Sequence, residues 1–64
     1  MQKELTTDAH FLAAILAEKK VIVTYRDTGQ IADYGGPIQQ ATAHAVKIND
    51  MHYMRHACHF YVRR

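Results

Sequence analysis

Apolar residues recur along this chain with two different periods. Phe11, Leu12, Ile15 and Leu16 follow one another at three- and four-residue spacing, which places them on one side of a helix. Thr6, Thr7 and Asp8 stand just before them, and their side-chain oxygens suit the free N–H groups of a helix start. Lys19 and Lys20 follow Glu18 and suit the negative end of the helix dipole. The pattern predicts a helix over about 7–19. A helix this short does not persist alone in water, so its apolar side must dock on another layer.

From residue 20 the period changes to two. Val21-Ile22-Val23-Thr24-Tyr25 is rich in strand formers, and Arg26 to Gln30, with Gly29, reads as a hairpin loop. Ile31 to Tyr34 returns as a second strand. Gly35-Gly36-Pro37 should then interrupt the ladder as a bulge, a bend or an exposed edge, because proline has no N–H to donate. Ile38 to Ile48 reads as a third strand with Val46 and Ile48 on one face, and Asn49-Asp50 as a tight turn. Met51 to Met54 pairs back, and Arg55-His56-Ala57 forms a kink. In the last strand Cys58, Phe60 and Val62 alternate with His59, Tyr61 and Arg63.

A helix followed by about five short strands predicts an α+β fold. The helix would pack on a small, strongly bent antiparallel sheet or an Sm/SH3-like barrel. Phe11, Leu12, Ile15 and Leu16 would face Val21, Val23, Val46, Ile48, Phe60 and Val62. The chain reads as a single domain over 1–64, helical at 7–19 and β-rich over 20–64.

Size and composition narrow the function. Sixty-four residues bury only about 60% of the surface the unfolded chain exposes, so stability is marginal. The lone cysteine, Cys58, excludes an internal disulfide and fits a reducing, cytoplasmic setting. The apolar run Phe11 to Ala17 is too short for a membrane span of about 20 residues and lacks the basic start of a secretion signal. Net charge is +2, unevenly spread: all six acidic residues lie in 1–50, whereas 51–64 holds Arg55, Arg63 and Arg64. A basic tail fits an anionic partner, or a strand edge kept soluble by charge.

These residues suggest three chemistries. His52, His56, Cys58 and His59 are metal-ligand types at short spacing, but structural zinc sites usually use paired cysteines. The apolar company of Cys58 points instead to a buried, unmetallated thiol. Nucleophilic catalysis fails on geometry, because adjacent Cys58 and His59 point to opposite faces of a strand. With no phosphate loop or dinucleotide fingerprint either, the chain is expected to be no enzyme and to need no cofactor. Tyr53, Arg55, Tyr61, Arg63 and Arg64 form a candidate nucleic-acid surface, since bases stack on aromatics while arginines hold phosphates.

The segments Val21-Ile-Val-Thr-Tyr-Arg-Asp-Thr-Gly-Gln-Ile, Gly36-Pro-Ile and Ala45-Val-Lys-Ile-Asn-Asp resemble YolD-like bacterial proteins and the rhythm of Sm-like barrels over residues 20–50. The resemblance implies a helix plus small barrel that acts by binding. It assigns no site residue. The expected role is that of a bacterial or phage regulator or adaptor that binds another protein. The alternative is an Sm-like nucleic-acid module using the basic aromatic last strand. The final strand, guarded by Arg63 and Arg64, is expected to present an edge that permits a monomer or a weak homodimer.

Overall fold

A computed structural model describes residues 2–63, so Met1 and Arg64 lie outside the described residues. The elements run β1 (Gln2–Glu4), α1 (Asp8–Leu16), β2 (Lys20–Tyr25), β3 (Ile31–Ala41), β4 (Ala45–Ile48), β5 (Met51–Met54) and β6 (Cys58–Arg63). All neighbouring strands are antiparallel, in the order β1-β6-β2-β3-β4-β5. One short helix and one bent sheet thus form the α+β domain that the change of period predicts.

Helix α1 is shorter than 7–19 at both ends, for local reasons. Thr7 is its N-cap, and its hydroxyl accepts from the His10 N–H at 3.2 Å. His10 returns the contact, its Nδ1 accepting from Thr6 N–H at 3.0 Å and from Thr7 N–H at 3.4 Å. Histidine here does the work of the glutamate in a capping box. At the other end Glu18 N–H donates to Ile15 O and Lys19 N–H donates to Ala14 O, with Glu18 at φ 52°. This is a Schellman motif carrying glutamate where glycine is usual, and no glycine signalled the stop in the sequence. Glu18→Gly should therefore raise stability by about 1 kcal/mol, measured by urea unfolding. A loss of stability would contradict the left-handed assignment.

The helix also faces the sheet with a different side. Phe11 and Ala14 are buried and Ile15 packs on the core, whereas Leu12 is 56% and Leu16 76% exposed. The expectation that Leu12 and Leu16 are core residues is overturned. Small Ala14 lets the helix sit close to the strands, and the helix turns Phe11 inward onto Phe60, with ring centroids 5.4 Å apart and edge-to-face. Leu12→Ala should then cost under about 1 kcal/mol rather than the several expected of a core leucine. A melting curve measures this, and a drop of core size would return Leu12 to the interior.

Of the forms expected at Gly35-Gly36-Pro37, the structure shows a bend with an irregular register. Strand β3 runs through it, pairing with β2 up to Pro37 and with β4 from Ile38. The residues bend the strand: Gly35 adopts φ 123° and the β2–β3 register shifts twice. The bend lets β3 serve both halves of the sheet. The single strand expected over 38–48 is divided at Thr42, whose Oγ1 accepts from His44 and Ala45 N–H and turns the chain. Asn49 and Asp50 both take left-handed φ, 52° and 64°, giving the expected tight hairpin.

Strand β1 has no apolar pattern and was not foreseen. It pairs with β6 from Gln2↔Arg63 to Glu4↔Tyr61, and Leu5 N–H extends the ladder to Phe60 O. With β2 on its other side, β6 is an interior strand, so it has no free edge to offer. The ends of the sheet are β1 and β5.

Val21, Val23, Ile38, Val46, Ile48, Phe60 and Val62 fill the space between the two halves of the sheet and the helix.

Candidate functional site

The candidate site residues part company once folded. Tyr53 sits in the core, with its hydroxyl donating to Asp33 Oδ2 at 3.0 Å. Arg55 is turned inward. Its guanidinium lies 4.6 Å from the Phe11 ring centroid, and it donates to Asp8 Oδ1 at 2.7 Å and Thr42 O at 2.9 Å. Both have structural partners where a nucleic acid would need free ones. Tyr61 and Arg63 keep the outward face of β6, with His59 beside Tyr61 at 6.0 Å between ring centroids. Arg64 lies outside the described residues.

The four metal-ligand types do not converge. Cys58 is buried, His52 and His56 are exposed, and the His59 Nδ1 lies 2.6 Å from Glu4 Oε2. Among the described residues, no three His, Cys, Asp or Glu are grouped to hold an ion. Burial pushes the Cys58 thiol above its usual range, more than Arg26 draws it down. The thiol is therefore a weak nucleophile at neutral pH.

Asp33 is a polar group that the sequence did not mark. Its carboxylate accepts from Gly35 N–H at 2.9 Å, Asn49 Nδ2 at 2.9 Å and Tyr53 OH. It thereby ties the bend of β3 to the β4–β5 hairpin. Gly36 permits the closeness, because a Cβ there would come within 2.9 Å of Asn49 Oδ1. Burial pushes the Asp33 carboxyl up, but the donors from Gly35, Asn49 and Tyr53 together outweigh it and hold the group below its ordinary value. Burial first, and then the bond to Asp33, push the Tyr53 hydroxyl up.

The lowered Asp33 group makes stability depend on pH. Its stabilisation is present in full above the unfolded carboxyl value of about 3.9, and it is lost as pH falls through the lower folded value. Asp33→Asn removes that dependence. The melting temperature of the wild type should therefore fall more steeply than that of the variant as pH drops below about 4. Parallel curves would show that Asp33 is not the group responsible.

Among the described residues, a groove flanks α1 on each side. One, of about 310 Å3, is lined by Phe11, Leu12, Ile15, Ala41, Ala43 and the Asp8–Arg55 pair. Leu12 and Leu16, one turn apart, stand exposed along this side of the helix. The other, of about 410 Å3, lies between α1 and the β1–β6 pair. The exposed leucine pair beside the first groove was invisible in the sequence, where the same residues read as core. Among the described residues, no helix is long and apolar enough to cross a membrane.

No protein-family model matches this chain, and neither a curated protein nor a solved structure matches it.

Proposed function

We propose that this chain is a small non-enzymatic binding protein, a bacterial or phage regulator or adaptor of the cytoplasm, that docks a partner protein on the Leu12–Leu16 side of α1. The exposed leucine pair carries the reading. Isolated exposed apolar residues are ordinary, but two leucines a turn apart beside an apolar groove form a continuous docking strip. An amphipathic segment of a partner laid there would cover both leucines and reach Ile15 in the groove floor. The strand order β6-β2-β3-β4-β5 and the bend in β3 are compatible with an Sm/SH3-like arrangement, in keeping with the resemblance to YolD-like proteins over residues 20–50.

The test is retention of a partner from nuclease-treated lysate by the wild type and by the Leu12→Glu/Leu16→Glu variant. Both changes are at exposed positions, and circular dichroism checks that the fold survives. The wild type should retain a protein that the variant releases. Equal retention by both would defeat the reading.

A second reading, nucleic-acid binding, has support from the outward face of β6, where Arg63, Tyr61 and His59 alternate toward solvent. Of the expected residues, this reading keeps Tyr61, Arg63 and Arg64. Retention abolished by nuclease and by raised salt would favour it over the first.

A further inference from the structure

The larger groove brings together residues far apart in the sequence. Leu5, Ala13, Ala14, Ala17 and Val62 line its apolar part. Lys3, Lys19 and Arg63 line it too, and no Asp or Glu among the described residues does. Lys3 arrives on β1, Lys19 from the turn after α1, and Arg63 at the end of β6. Lys20, at the start of β2, is exposed close by in sequence to Lys19. His10 also lines the groove. Its Nδ1 already accepts from the N–H groups of Thr6 and Thr7, so in the neutral ring the hydrogen is on Nε2, which remains a donor.

We infer that this groove binds a small amphipathic anion, a carboxylate on a medium-length alkyl chain. The alkyl chain lies along Ala13, Ala14, Ala17 and Val62, and the carboxylate is held by Lys3, Lys19 and Arg63. The volume, about 410 Å3, is in the range of small-molecule sites. Three cations with no acidic partner among the described lining residues give a field of one sign, while Leu5, Ala13, Ala14, Ala17 and Val62 offer the chain apolar surface. A neutral apolar ligand would gain the floor but not the rim. A free inorganic anion would gain the rim but not the floor. The site is independent of the Leu12–Leu16 strip, which lies on the other side of the helix.

Decanoate, below its micelle concentration, is the probe, followed by amide chemical shifts and calorimetry on the full chain. Saturable one-to-one binding should appear, with shifts at Ala13, Ala17 and Val62. Decanol should bind at least several-fold more weakly. Lys3→Gln/Lys19→Gln/Arg63→Gln should weaken decanoate about tenfold or more, as expected of three exposed charges, and added salt should act in the same direction. Ala13→Trp, at an exposed helix position, should block binding with the fold retained. Leu12→Glu/Leu16→Glu should leave it unchanged. Absence of saturable binding, equal affinity for decanol, or full affinity in the triple variant would each overturn the inference.

Discussion

Replacing Phe60 with alanine should remove most of the stability of this domain. Phe60 is 2% exposed at the centre of the interior strand β6, and its ring meets Phe11 of the helix edge-to-face. Truncating a buried phenylalanine costs about 3–5 kcal/mol, through lost transfer energy and the cavity left behind. A domain of 64 residues has in total about 3–10 kcal/mol, at the usual 0.05–0.15 kcal/mol per residue. The loss therefore rivals the whole. The variant should melt at least about 12 °C below the wild type, taking about 4 °C per kcal/mol as the lower bound for so small a domain, or be unfolded at room temperature. Phe60→Leu keeps most of the volume and should fall between the two. Thermal unfolding followed by circular dichroism decides it. A shift of only a few degrees for Phe60→Ala would mean that the helix and β6 do not share one core.

Arg55→Ala should be the second most damaging change, by about 2 kcal/mol, although arginine on a small basic protein is ordinarily a surface residue. The size of the effect follows from what its side chain, only 18% exposed, holds together. It stacks on Phe11, pairs with Asp8 at the start of α1, and donates to Thr42 O in the β3–β4 turn. Hydrogen bonds to a charged group are worth about 1.5–3 kcal/mol when partly shielded, and a cation over an aromatic ring adds about 0.5–1 kcal/mol. The ion pair itself contributes little, because the Asp8 side chain is 84% exposed and water screens it. Asp8→Ala should accordingly cost less than about 1 kcal/mol. Arg55→Lys should rescue only in part, since an ammonium lacks the planar fork that reaches two acceptors and lies flat on a ring. Urea midpoints of the three variants measure the order. Equal losses for Arg55→Ala and Asp8→Ala would place the energy in the ion pair and not in the stacking and carbonyl contacts.

These two residues mark where the sequence is legible. Phe60 announces itself by alternation with Cys58 and Val62, because a strand with one buried face has a period of two whatever it pairs with. Arg55 does not. Its partners Asp8 and Thr6 are 47 and 49 residues away, and local pattern has no access to them. Tyr53 shows the same limit. It shares its strand with exposed Met51, His52 and Met54, and only the acceptor offered by Asp33 makes burial of its hydroxyl tolerable.

The sequence by itself determined the local elements: a short helix starting within Thr6-Thr7-Asp8, the β2–β3 hairpin, the Asn49-Asp50 turn, the alternating last strand and the burial of Cys58. Each depends on backbone preference or on periodicity within a few residues. Only the tertiary structure decided which side of the helix turns inward, because Phe11, Leu12, Ile15 and Leu16 form one broad apolar stripe and any part of it satisfies the period. The sheet chose Phe11 and Ala14, for Phe60 was there to receive one ring and alanine allowed close approach. The tertiary structure likewise recruited the polar segment Gln2–Glu4 as a strand, since an open β6 ladder supplies partners to any extended backbone that reaches it. That pairing carries Lys3 to the end of the sheet where Lys19 and Arg63 already stand. Charge convergence of this kind arises from pairing across the whole chain, so no window of sequence contains it.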